Sequence, residues 1–167
     1  MDLYVLRHAV AVAAKSDHPG QDSGRALTPD GARKMRHIAE GMLAGGLVFD
    51  LILSSPYLRA KQTAEIVARV FEQKKILRFS AALAPQAQPE KLIEELNGRH
   101  PQCANVLLVG HEPYLSQLIS LLASGRPGLV IKLRKGGLCK LSVTKLRAEC
   151  CASLEWLLTP RQVRRMA

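Results

Sequence analysis

The sequence predicts an α/β domain built on a mostly parallel sheet. Short, near-continuous apolar runs recur along the chain, and segments with helical spacing fall between them. The length, 167 residues, is that of one compact domain, so residues 1–167 are expected to fold as a unit. Helices cover both faces of a parallel sheet, so its strands read as continuous apolar runs. Alternation of such runs with helical patterns is the mark of βαβ units.

Leu3-Tyr4-Val5-Leu6 is the first of these runs. The polar, glycine-containing stretch from Lys15 to Arg25 reads as a long loop. Thr28-Pro29 then combines an N-cap with proline at the first helical position. Ala32, Met35, Ala39 and Met42 follow at helical spacing until Gly45-Gly46 stops the helix. Leu51-Ile52-Leu53 is a second strand, and Ser55-Pro56 repeats the cap signal before a stripe of Ala60, Ala64, Val67 and Phe71. Ile76 to Arg78 reads as a short strand, Ala81 to Pro89 as a linker, and Glu90 to Asn97 as a third helix. Val106-Leu107-Leu108-Val109 is the clearest buried strand. Pro113 opens a helix with Leu115, Leu118, Ile119 and Leu122 on one face, ended by Gly125. Gly128 to Leu133, Leu138 to Lys145 and Cys150 to Leu157 read as antiparallel strands added at the sheet edge.

Composition narrows the function classes. Apolar residues make up 47% and charged residues 23%, which excludes a disordered or collagen-like chain. No apolar run approaches the roughly 18 residues of a membrane span, and Arg7, His8 and Lys15 interrupt any signal-peptide pattern. Cys103, Cys139, Cys150 and Cys151 include no C-x-x-C pair, so reduced thiols, no structural zinc and a cytoplasmic setting are expected. The 24 Lys and Arg against 14 Asp and Glu leave a net charge of +10, which points to anionic partners. Seven aromatic residues are thin for base stacking, so nucleic acid is not the expected partner. Much of the excess lies in Arg134, Lys135, Lys140, Lys145, Arg147, Arg161, Arg164 and Arg165, as a solvated basic face or as steering for an anionic substrate.

The buried strands share one feature. The first ends in Arg7-His8, the second in Ser54-Ser55 with Arg59 four residues on, and the third in Gly110-His111-Glu112. Ligands of open α/β sheets bind beyond the carboxyl ends of the strands, so neighbouring strands would bring two imidazoles and two guanidiniums into one pocket. A neutral imidazole can carry a phosphoryl group covalently. Guanidinium forks match phosphate oxygens and disfavour protonation of a nearby histidine. The set therefore points to phosphoryl transfer without metal or cofactor; no Walker pattern or Asp pair suggests nucleotide or magnesium chemistry. His18, His37 and His100 read as surface residues.

Four blocks carry a family resemblance: Leu6-Arg7-His8-Ala9, Arg25-Ala26-Leu27-Thr28-Pro29-Asp30-Gly31, Ser54-Ser55-Pro56-Tyr57-Leu58-Arg59-Ala60-Lys61-Gln62-Thr63-Ala64, and Val109-Gly110-His111-Glu112-Pro113. In this order they resemble the histidine phosphatase superfamily, once named for its phosphoglycerate mutases. The Arg-x-Leu-Thr wording and Trp156-Leu157-Leu158-Thr159-Pro160 look most like its small phosphohistidine phosphatase branch, the SixA type. The resemblance implies a three-layer α/β/α fold with His8 as the phosphorylated nucleophile. Arg7, Arg59 and His111 would hold the phosphoryl oxygens, with Arg25 as an additional phosphate-pocket arginine.

One departure bears on the substrate. Many superfamily members carry a carboxylic general acid after the third short strand, where this chain reads Ser80-Ala81-Ala82-Leu83-Ala84-Pro85-Gln86, with no carboxylate until Glu90. An alkoxide leaving group benefits from such an acid, whereas imidazole is a far less basic leaving group. Glu90 is either a displaced acid or a favourable helix-end charge. The short Ala81–Pro89 stretch also leaves no room for a large helical lid. The expected function is hydrolysis of phosphohistidine on a signalling or phosphotransfer protein. A small phosphomonoester or phosphoanhydride is the alternative substrate, and a non-catalytic phosphate- or polyanion-binding module is the third reading.

Overall fold

The computed structural model describes residues 1–13 and 19–166. Six strands form one sheet in the order β3-β2-β4-β1-β5-β6. They are β1 (Asp2–Arg7), β2 (Leu51–Ser54), β3 (Leu77–Phe79), β4 (Asn105–Gly110), β5 (Leu138–Val143) and β6 (Ala152–Leu158). The first four are parallel; β5 joins β1 antiparallel, and β6 joins β5 antiparallel. The helices are α1 (Pro29–Ala44), α2 (Leu58–Val70), α3 (Pro89–Arg99), α4 (Tyr114–Ser124) and the short α5 (Pro160–Val163). Among the described residues no helix is long and apolar enough to cross a membrane.

Side chains alternate across a strand, so each parallel strand feeds two cores. Tyr4, Leu6, Ile52, Leu107 and Val109 pack with Met35, Ile38 and Met42 of α1 and Ala64 and Val67 of α2. Leu3, Val5, Leu53, Val106 and Leu108 pack with Leu92 and Leu96 of α3 and Leu115, Leu118 and Leu122 of α4. Helices on both faces of the sheet make the three-layer α/β/α architecture that the pattern anticipated.

Local signals behave as read in most places. Thr28 caps α1 by accepting the Gly31 N–H, and Gly125 ends α4 in a left-handed conformation, φ 79°. Ser55 does not cap α2: the helix starts at Leu58 with Tyr57 at the cap position, and Ser55 Oγ accepts the Tyr57 N–H in the approach turn. Pro19–Gly24 winds into a 3-10 turn inside the expected loop, while Lys15 and His18 lie outside the described residues. A 3-10 turn at Ala81–Leu83 buries Leu83 within the expected linker. Gly128 to Leu133 is not a strand but irregular backbone between α4 and β5. β6 begins at Ala152 rather than at Cys150, so Cys150 and Cys151 precede the strand. All four cysteines are free thiols.

The topology creates the site. The chain leaves β1, lays down β2 and β3 to one side, then returns to insert β4 between β1 and β2. This reversal puts the carboxyl ends of β1, β4 and β2 side by side, where His8, His111 and Ser55 follow them. The His8 N–H donates to Gly110 C=O at 3.0 Å and the Ser55 N–H to Val109 C=O at 2.9 Å, so the strand ends are tied together.

Candidate active site

His8 is buried, and its Nδ1 lies 2.7 Å from the Ala9 carbonyl oxygen. A carbonyl only accepts, so Nδ1 carries the proton and Nε2 keeps its lone pair. Arg59 Nε donates to that Nε2 at 3.3 Å. The Ala9 N–H is held by Thr63 Oγ1 at 3.1 Å, and the same hydroxyl donates to the Arg59 carbonyl at 2.7 Å. Thr63 thus couples the His8 turn to the first turn of α2, whose positive end favours an anion.

His111 is also buried, with its ring centroid 5.1 Å from that of His8. Its Nε2 pairs with Ser55 Oγ at 2.8 Å, its Nδ1 has no partner among the described residues, and Tyr57 packs against its edge at 5.3 Å. Arg7 donates through Nη1 to Leu133 C=O at 2.9 Å, and its buried Nε has no partner among the described residues. Burial lowers the Arg7 pKa, opposed by the charge of Glu112.

Burial dominates the electrostatics of both imidazoles. It pushes His8 down to about 4, against the Ala9 hydrogen bond and with help from the Arg59 and Arg7 charges. It pushes His111 down to about 3, again with Arg59 adding to the effect. Both rings are neutral near pH 7, and a neutral imidazole with an unprotonated nitrogen is a nucleophile.

Sequence reasoning missed Asp22. Its Oδ2 accepts from Arg59 Nη2 at 2.8 Å, its carbonyl from Arg59 Nη1 at 2.6 Å, and its Oδ1 from Arg25 Nη1 at 2.8 Å. Burial raises the Asp22 pKa, but the donors from Arg25 and Arg59 outweigh it and hold the carboxyl below its ordinary value. An ionised carboxylate therefore sits on the guanidinium expected to grip phosphate. Among the described residues Arg25 reaches the cluster through this carboxylate, its other donors going to Val12 C=O. Nothing in the loop's composition singled Asp22 out; its pairing depends on the fold. Thr63, by contrast, could have been found, since four residues from Arg59 places both on one helix face.

The remaining candidates lie elsewhere. Glu90 is exposed in the first turn of α3, where its charge acts on Tyr114. His37 is exposed on α1, pairing with Glu40 at 3.0 Å, and His100 is half-buried at the end of α3. Lys140 and Arg147 of the basic excess pair with Asp2 and Glu149, whereas the Lys135 charge acts on His8. Among the described residues no group of three or more His, Cys, Asp or Glu side chains could hold a metal ion.

This arrangement can be set beside known proteins. Residues 3–80 match the profile of the histidine phosphatase superfamily (branch 1). An uncharacterised protein of Picosynechococcus sp. is 32% identical over 164 residues, covering 96% of this chain and 98% of the relative. Phosphohistidine phosphatase SixA of Escherichia coli is 27% identical over 132 residues, covering 75% of this chain and 76% of the relative. The solved structure of the protein histidine phosphatase SixA complexed with tungstate superposes with a TM-score of 0.81 at 21% identity, covering 98% of this chain and 99% of that one. By fold, profile and full-length similarity, the chain belongs to the histidine phosphatase superfamily.

Proposed function

We propose that this protein is a phosphatase that hydrolyses phosphohistidine on a signalling or phosphotransfer protein, through a covalent intermediate on His8. One observation carries the reading: the lone pair of His8 Nε2 lies beside the Arg59 donors and the His111 ring at the ends of adjacent parallel strands. The Nε2 lone pair attacks phosphorus, the bond from phosphorus to the substrate imidazole breaks, and that nitrogen takes a proton from solvent. Water then attacks the phosphorylated His8, the P–Nε2 bond breaks, and inorganic phosphate leaves with the proton balance completed by solvent. Arg7, Arg59 and His111 hold the non-bridging oxygens, where fixed donors offset charge gathered in the transition state. No metal or cofactor is needed for these steps.

The choice of phosphohistidine rests on the leaving group. Asp22, the carboxylate hydrogen-bonded to Arg59, is held ionised by its guanidinium partners and so has no proton to give. A basic alkoxide would need that proton, while an imidazole departs without a positioned acid. The similarity to SixA supports the same choice. Incubation with a phosphohistidine-bearing carrier domain should trap acid-labile phosphate on the protein, and His8→Ala should abolish trapping and turnover. Full activity in His8→Ala would end the proposal. Faster turnover of sugar phosphates than of the carrier would instead assign a small phosphomonoester.

A further inference from the structure

On the reading that the phosphoryl group arrives on a protein, we propose that residues 129–135 are the docking surface for that protein. Leu129 and Val130 would provide its apolar contact, and Lys132, Arg134 and Lys135 its charge. The occupant is a protein surface that presents the phosphorylated histidine beside acidic side chains and an apolar patch.

The segment was expected to be a strand, and the reason it is not is visible in its anchors. Ser120 Oγ on α4 accepts the Leu129 N–H at 3.0 Å, and Ser116 Oγ donates to Ile131 C=O at 3.2 Å. Leu133 is buried in the core, and its carbonyl takes the Arg7 guanidinium. Gly136, at φ 75°, turns the chain so that its N–H reaches Arg7 C=O at 3.0 Å. A side chain there would lie 2.8 Å from Ile38 Cδ1. The strap is therefore pinned to α4 by two serine hydroxyls and to the end of β1 by Arg7, a residue of the site.

Within this pinned backbone, Leu129 is 48% exposed and Val130 fully exposed. Single exposed apolar residues are ordinary. Two in succession on an anchored strap, three and four residues from the Leu133 carbonyl that Arg7 holds, lie within about 14 Å of it by chain reach. Lys132, Arg134 and Lys135 are exposed and form no ion pair among the described residues, and the Lys135 charge reaches His8. A small phosphate compound gains nothing from apolar side chains outside the pocket. Single-stranded nucleic acid would call for stacking aromatics, and the segment has none. An acidic protein with an apolar face uses both features, the charges steering encounter and the apolar pair slowing release.

The test compares two substrates of the same chemistry. Turnover is measured on a histidine-phosphotransfer domain phosphorylated on its histidine, and on free phosphohistidine. The variants are Leu129→Ser/Val130→Ser and Lys132→Glu, all at exposed positions outside the His8 cluster. Each variant should raise KM for the phosphorylated domain ten-fold or more with kcat within two-fold, and leave kcat/KM for free phosphohistidine within two-fold. An unchanged KM for the domain, or a parallel loss on both substrates, overturns the docking assignment while leaving the catalytic proposal standing. Competition by single-stranded RNA that Lys132→Glu relieves, with the domain's KM unchanged, would give the strap to nucleic acid instead. A wild-type protein inactive on both substrates overturns the proposed function, and the docking assignment falls with it.

Discussion

Neutral, buried imidazoles should make this protein acid-sensitive in a defined window. His8 titrates at about 4 and His111 at about 3 in the fold, against an ordinary value near 6.5. Both values are depressed, so the unfolded chain binds more protons than the folded one below about pH 6.5. Stability is complete above that pH and falls as the pH drops toward the folded values. At pH 5 the linkage relation gives a loss of roughly 2 kcal/mol for each ring, hence about 4 kcal/mol for the pair. For a chain of this size that corresponds to roughly 8–16 °C in Tm. Thermal melts at pH 7 and pH 5 measure it, with His8→Gln and His111→Gln as controls. Each variant should show about half of the wild-type drop attributable to the pair, because one protonatable ring remains. Equal pH 7-to-5 drops in wild type and in a double His8→Gln/His111→Gln variant would refute the reasoning.

Three further outcomes follow from the same geometry. Arg59→Ala removes the donor to His8 Nε2 and, on the proposed mechanism, the donors to the phosphoryl oxygens, and kcat/KM should fall roughly 10²–10³-fold in a phosphatase assay. Asp22→Asn removes the carboxylate that occupies Arg59, and equilibrium titration should show inorganic phosphate binding roughly ten-fold tighter; weaker binding would mean that Asp22 holds Arg59 in its working pose. Gly31→Ala would place its Cβ 2.1 Å from the Val10 carbonyl oxygen, so denaturant unfolding should report a loss of about 1–3 kcal/mol.

Much of this molecule was determined by local pattern. The buried runs at Leu3–Leu6, Leu51–Leu53 and Val106–Val109, the Thr28 cap and the Gly125 stop follow from side-chain burial and backbone preference, which neighbours in sequence express. The polar residues after each run also marked the site, because a strand end needs no histidine for its own stability. Tertiary structure decided what those residues meet. Strand order set β4 between β1 and β2, and only then did His8 and His111 become neighbours. The proton on His8 Nδ1 depends on where the Ala9 carbonyl points, and the pairing of Asp22 with Arg59 joins residues 37 positions apart. The Gly128 to Leu133 segment has the composition of a strand, yet side chains of α4 and Arg7 take up its backbone groups and hold it outside the sheet. Hydrogen bonds between distant segments carry no signature in either partner's immediate sequence, so they had to be seen in the folded chain.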